Sequence, residues 1–139
     1  MEFRVENGWN GGGWLLDPRM QGLFMDFNPT TTAIVPPVDV IEDKDAYHFY
    51  FEMAGLKSDS IDARVENDRL IVSAERKRPE WPEETEVLVA ERRHGTIWRA
   101  FELPKDASRD NVDASYKDGV LELTVEKKAE SKPAKIQIN

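Results

Sequence analysis

Few residues in this chain could do covalent chemistry. His48 and His94 are its two histidines. His48 alternates onto the side opposite the aromatic rings of Tyr47, Phe49 and Phe51, and His94 precedes Gly95 where a turn is expected, so both read as solvated. General-base catalysis needs an imidazole or carboxylate held in a pocket close to a reacting proton, and neither setting supplies one. Asp43 and Asp45 begin like a calcium loop, but such a loop needs Gly at its sixth position and Glu at its twelfth. His48 and Ala54 stand there instead, which leaves a turn. Gly11-Gly12-Gly13 has no preceding strand and no Gly-Lys-Ser/Thr ending, so it is no phosphate cradle. Glu83, Glu84 and Glu86 form a charge run without a partner base. With no cysteine there is neither a thiolate nucleophile nor a disulfide. The expectation is a protein that is not an enzyme and uses no cofactor or metal.

The remaining chemistry is that of contact. Arg99 alternates with Ile97, Phe101 and Leu103, which puts a permanent cation on an apolar face. A guanidinium there needs a carboxylate or carbonyl partner. Either the stem covers apolar surface at a sheet edge while the head reaches water, or Arg99 pairs across a subunit interface. The long connection "KRPEWPEETEVLVAERRHG" carries a strand-like piece, with Val87 and Val89 on one side and Leu88 on the other. On a loop stiffened by Pro79 and Pro82, it either pairs with the edge of a second copy or is a surface excursion folded back on its own sheet. Ile136 and Ile138 share one side of an extended backbone beyond a polar tether. The roughly eight residues from Lys128 to Lys135 reach about 25 Å when extended, so the two isoleucines read as a plug for a neighbouring sheet edge or groove.

Strands must position these groups. From Pro36 to about Lys127 the hydrophobic period is two. "AYHFYFEM" puts Tyr47, Phe49, Phe51 and Met53 on one face. "SIDARVE" and "RLIVSAE" flank Asn67-Asp68, and "NVDASY" and "VLELTVE" flank Asp118-Gly119, which predicts two hairpins. "GTIWRAFELP" supplies another strand, closed by Pro104. No amphipathic helix of ten residues or more is evident. The fold class is therefore all-β, an antiparallel immunoglobulin-like sandwich over residues 36–127. Residues 1–35 form a Gly-rich arm whose Trp9, Trp14, Leu15, Leu16, Phe24 and Phe27 must find cover, and residues 128–139 form the tail.

The 139 residues are enough for one such domain with flanking arms, and 40% of them are hydrophobic, enough for one core. A net charge of −8 repels phosphate backbones and anionic headgroups, so no nucleic-acid partner is expected. No apolar run approaches the roughly 20 residues of a membrane span, and the start lacks the basic-then-apolar pattern of a secretory leader. The expected location is cytoplasmic.

Taken together these residues resemble the small heat shock protein family, built around the α-crystallin domain, over about residues 36–138. The most specific piece is "ASYKDGVLELTVEKK", which carries the family's Ala, spacer, Gly-Val-Leu signature at Ala114, Gly119, Val120 and Leu121. "PPVDVIED", "MAGLKSDSIDARVENDRLIVSAERK", "ERRHGTIWRAFELP" and the terminal Ile-x-Ile support it in order and spacing. The resemblance implies an ATP-independent holdase that binds partly unfolded proteins until ATP-driven chaperones refold them. It further implies a homo-oligomer of dimers. Arg99 matches the dimer-interface arginine, Val87, Leu88 and Val89 the exchanged strand, Ile136 and Ile138 the inter-dimer plug, and the arm's apolar residues the client-binding segment. The alternative is a monomeric sandwich-fold co-chaperone of an ATP-driven machine.

Overall fold

The computed structural model describes residues 33–129 and 136–139. Seven strands follow one another: β1 (Val38–Glu42), β2 (Ala46–Glu52), β3 (Ile61–Glu66), β4 (Arg69–Arg76), β5 (Gly95–Glu102), β6 (Ala107–Lys117) and β7 (Val120–Lys127). They form two antiparallel sheets, of order β1-β2-β7-β6 and β3-β4-β5.

The predicted hairpin turns are present for the expected reason. Asn67 and Asp68 have φ of 51° and 64°, and Asp118 and Gly119 have φ of 55° and 76°. A two-residue turn with both residues at positive φ matches the right-handed twist of its strands, and Asn, Asp and Gly are the residues that tolerate it. Those turns fix the registers, Val65 opposite Leu70 and Tyr116 opposite Leu121. A slip of one residue would turn every inward side chain outward.

Alternation then sorts the side chains. β2 presents Tyr47, Phe49 and Phe51 to the core, β7 adds Leu121, Leu123 and Val125, and the facing sheet answers with Leu70, Val72, Ile97 and Phe101. The Phe101 ring packs tilted against Phe49 at 5.5 Å and edge-on to Phe51 at 5.9 Å, an arrangement that aromatic quadrupoles favour. The buried Tyr47 hydroxyl donates to Asp106 Oδ1 at 2.7 Å. Burial and that carboxylate push its pKa well above the usual phenol value, so the ring stays neutral and ties β2 to the β5–β6 connection.

Two features go beyond the period-two pattern. β6 starts at Ala107, well before the predicted "NVDASY", because a register shift lies between Ala107 and Val112. Ser108 Oγ accepts the N–H groups of Asp110 and Asn111 there, so a side chain replaces ladder partners and hides the strand from an alternation test. Pairing also begins ahead of Pro36, because Ile34 bridges Ile97 in parallel on the outer edge of β5.

Candidate assembly surfaces

The entry of the chain joins the two sheets along one side. Ile34 N–H donates to the Thr96 carbonyl at 2.7 Å and the Ile34 carbonyl accepts from Trp98 N–H at 3.0 Å, and four residues later the chain enters β1. β1 and β5 therefore lie along one side of the sandwich, leaving β3 and β6 as the end strands on the other. Arg109 of β6 reaches back to Asp68 of the β3–β4 turn at 2.9 Å, consistent with that placement.

Arg99 lies on the inner face of β5, as its alternation predicts. Its Nη1 donates to the Pro36 carbonyl at 2.7 Å, and its guanidinium stands 4.9 Å from the Phe101 ring centre. The carbonyl partner required on sequence grounds is thus supplied within the chain, while burial draws the arginine's pKa below its ordinary value because desolvation penalises the cation. Residues 77–94 form the loop between β4 and β5. Its base is held by Arg76, whose Nε and Nη2 donate to the Ala54 carbonyl at 3.0 and 2.7 Å and whose Nη1 reaches the Arg93 carbonyl at 3.4 Å. Further out, Val87, Leu88 and Val89 form no strand in the single chain and are exposed, Leu88 at 84%. Strand-like composition without a paired neighbour leaves irregular coil, with a bend at Leu88.

Ile136 and Ile138 are exposed at 84% and 91%. With Trp81 and the three loop residues they make up the exposed large hydrophobics among the described residues. Every such side chain is therefore on the loop or the tail, none on the sandwich. Trp9, Trp14, Leu15, Leu16, Phe24 and Phe27 of the arm lie outside the described residues.

The end strands β3 and β6 each carry a small exposed residue. On the inner face of β3, exposed Ala63 stands between half-buried Ile61 and Val65; on β6, exposed Ala114 stands between half-buried Val112 and Tyr116. A small residue flanked by larger ones on each end strand makes a notch, and neither strand has a further neighbour in its sheet. This gives a physical reason for Ala114 in the motif. Gly119 has another: a Cβ added there would stand 3.2 Å from Ala54 Cβ, and the Gly119 carbonyl accepts from Met53 N–H at 2.8 Å. Leu121 is buried and Val120 half-buried. On sequence alone Ala63 and Arg76 were not singled out, although the Ile-Asp-Ala-Arg-Val alternation carries the first.

The histidines are less solvated than expected. His48 Nε2 meets Asp43 Oδ2 at 2.7 Å and its Nδ1 meets Thr124 Oγ1 at 3.3 Å, so cross-strand neighbours grip the ring. His94 Nδ1 is buried without a hydrogen-bond partner among the described residues. Asp43 Oδ1 accepts the N–H groups of Asp45 and Ala46, which makes the segment a turn as read. Among the described residues no three acidic or histidine side chains are placed to hold a metal ion, and no helix is long and apolar enough to cross a membrane.

Comparison with known proteins adds to this geometry. Residues 39–139 match the Hsp20/alpha crystallin family. A 17.6 kDa class II heat shock protein of Arabidopsis thaliana is 44% identical over 101 residues, 71% of this chain and 65% of that protein. Spore protein SP21 of Stigmatella aurantiaca is 39% identical over 106 residues, 76% of this chain and 63% of its own length. The chain thus spans a little under two thirds of these relatives. A small heat-shock protein structure from Xylella fastidiosa, described as having a distinct high order structure, superposes with a TM-score of 0.66 at 30% identity, over 78% of this chain and 99% of that one.

Proposed function

The chain belongs to the Hsp20/alpha crystallin family of small heat shock proteins, and from that premise we propose that it is an ATP-independent holdase, assembled from dimers, that keeps partly unfolded proteins from aggregating. Family membership supports a chaperone role and the non-enzymatic character expected from the residues. The observation that carries the finer reading is the segregation of exposed large hydrophobics onto loop and tail. A holdase must own apolar surface that would otherwise drive self-aggregation. Storing that surface in exchangeable contacts between subunits resolves the conflict.

Each contact has a complementary surface on the sandwich. β1 ends its sheet and presents an outer edge to which Val87, Leu88 and Val89 of a second copy add as a strand. Arg99 and the Pro36 carbonyl lie beside that edge and position it. Ile136 and Ile138 suit the notch between β3 and β6, where Ala63 and Ala114 leave room for two side chains at alternate positions. The arm's apolar residues take clients and further subunits. Net charge of −8 keeps the loaded assembly dispersed, and the proposed setting is the cytoplasm, where ATP-driven chaperones receive the client. The monomeric co-chaperone alternative leaves the loop and tail apolar residues without occupation.

The test is light scattering of a heat-labile client warmed with an equimolar amount of the protein and no nucleotide. Suppressed scattering is expected; undiminished aggregation across several clients overturns the holdase reading.

A further inference from the structure

We propose that the outer edge of β5 is a strand-binding site, covered in the resting chain by residues 33–36 and opened to an extended apolar segment of an unfolded polypeptide when they withdraw. This rests on the chaperone reading and names a surface on the sandwich for it.

The cover pairs with the edge only briefly. Ile34 makes two main-chain hydrogen bonds to β5, to Thr96 and from Trp98. Pro36 and Pro37 follow at once, and neither has an N–H to donate, so the pairing cannot run on along the strand. Beyond those two bonds the segment is held by the buried Pro36 ring and the Arg99 bond to its carbonyl, contacts that an arriving strand must replace. The edge itself runs further. Residues of an antiparallel strand alternate between pointing their main-chain groups at one neighbour and at the other, so Ala100 and Glu102 present theirs on the same side as Trp98. Neither takes a backbone partner there among the described residues. An incoming strand can therefore form a longer ladder than the cover does.

The surroundings define what fits. Between the cover and the sandwich lies a cleft of about 240 Å³ lined by Ile34, Val35, Pro36, Ala54, Arg76 and Ile97, among others. That is below the roughly 300–1,000 Å³ of small-molecule sites and suits single side chains of a peptide. The resting occupant shows the ligand class: extended main chain carrying a branched apolar residue. When residues 33–36 leave, Arg99 loses the Pro36 carbonyl and donates to a carbonyl of the arriving strand. An unfolded polypeptide supplies what a folded partner does not, a run of unpaired N–H and C=O groups beside apolar side chains.

The experiment follows the Trp98 amide by hydrogen exchange in the full-length assembly. Ile34→Pro removes the donor to Thr96, and Trp98 should exchange about fivefold faster, the effect of one lost hydrogen bond. Saturation with reduced, carboxymethylated lactalbumin, which cannot fold, should slow Trp98 again, and the variant should hold more of it per subunit than the parent. Ile34→Ala, which keeps the N–H and trims the side chain, should give the same ordering to a smaller extent and serves if the proline variant does not fold. A client complex with the Trp98 rate unchanged overturns the edge site and leaves the holdase reading standing. No complex in either protein overturns both. If slowing disappears when Ile136 and Ile138 are also replaced by alanine, the occupant is a neighbour's tail, and the client assignment is overturned.

Discussion

Arg99 and Pro36 are 63 residues apart in sequence, yet Nη1 of one and the carbonyl of the other stand 2.7 Å apart. That bond ties the end strand of one sheet to the segment leading into the other. A cation drawn partly out of water keeps its place only while such acceptors remain. Arg99→Leu removes a charged donor from the carbonyl of the buried Pro36, and a loss of about 1.5–3 kcal/mol is expected, read as a lower urea midpoint. A midpoint equal to the parent's would show that the bond carries no stability. If Arg99 also serves a subunit contact, Arg99→Lys, which keeps charge but loses the planar fork, should raise the dimer dissociation constant more than it lowers the midpoint.

Gly119 tests the signature motif as geometry. Its φ is 76° and a Cβ would meet Ala54 Cβ at 3.2 Å, so Gly119→Ala is strained twice over. Left-handed backbone costs a non-glycine residue roughly 1–2 kcal/mol, and the contact adds to it. Ala54→Gly in the same chain should recover only the part of the contact due to the Ala54 Cβ, since the Ala54 Cα stands at 3.3 Å, and leave the backbone part. Equal stability of single and double variants would assign the cost to φ and the Cα approach rather than to the Ala54 methyl.

Asp43 governs the acid limb of stability. The hydrogen bond from His48, followed by those from the N–H groups of Asp45 and Ala46, lowers its pKa from 3.8 to about 2. A carboxyl depressed in the fold contributes stability that is complete above the unfolded value and is lost as pH falls through the folded one. The window therefore runs from about pH 4 down to about pH 2. Urea midpoints of the parent and Asp43→Asn should differ near neutrality and converge across that window; a constant difference would mean that Asp43 acts through its turn alone.

What was legible in the sequence was local or periodic. Asn67-Asp68 and Asp118-Gly119 announce their turns by residue type, and the inward rows of β2, β4 and β7 follow from alternation. Ile34 escaped because one bridge has no period, and the start of β6 escaped because the Ser108 side chain interrupts the ladder. The need of Arg99 for a partner was readable, but a main-chain carbonyl has no side-chain signature, so Pro36 could not be named. Val87–Val89 has the composition of a strand and stays coil because the loop does not lay it against any of the open sheet edges of its own chain.

The tail gives the sharpest test of assembly. Ile136 and Ile138 are almost wholly exposed, so they bury no apolar surface against the sandwich. Burying two isoleucines in a neighbour's notch is worth about 1.5–3 kcal/mol each. Many such contacts hold an assembly together through effective concentration more than through individual affinity. Ile136→Ala with Ile138→Ala should therefore leave the unfolding midpoint of the domain unchanged while the native mass, by multi-angle light scattering, falls toward that of a dimer. Filling the notch from the other side, with Ala63→Leu and Ala114→Leu in an otherwise native chain, should have the same effect, because bulky residues on both end strands close the space the tail would enter. If the mass stays at the parent's value in both variants, tail and notch are not partners, and the assembly is held by the loop and arm alone.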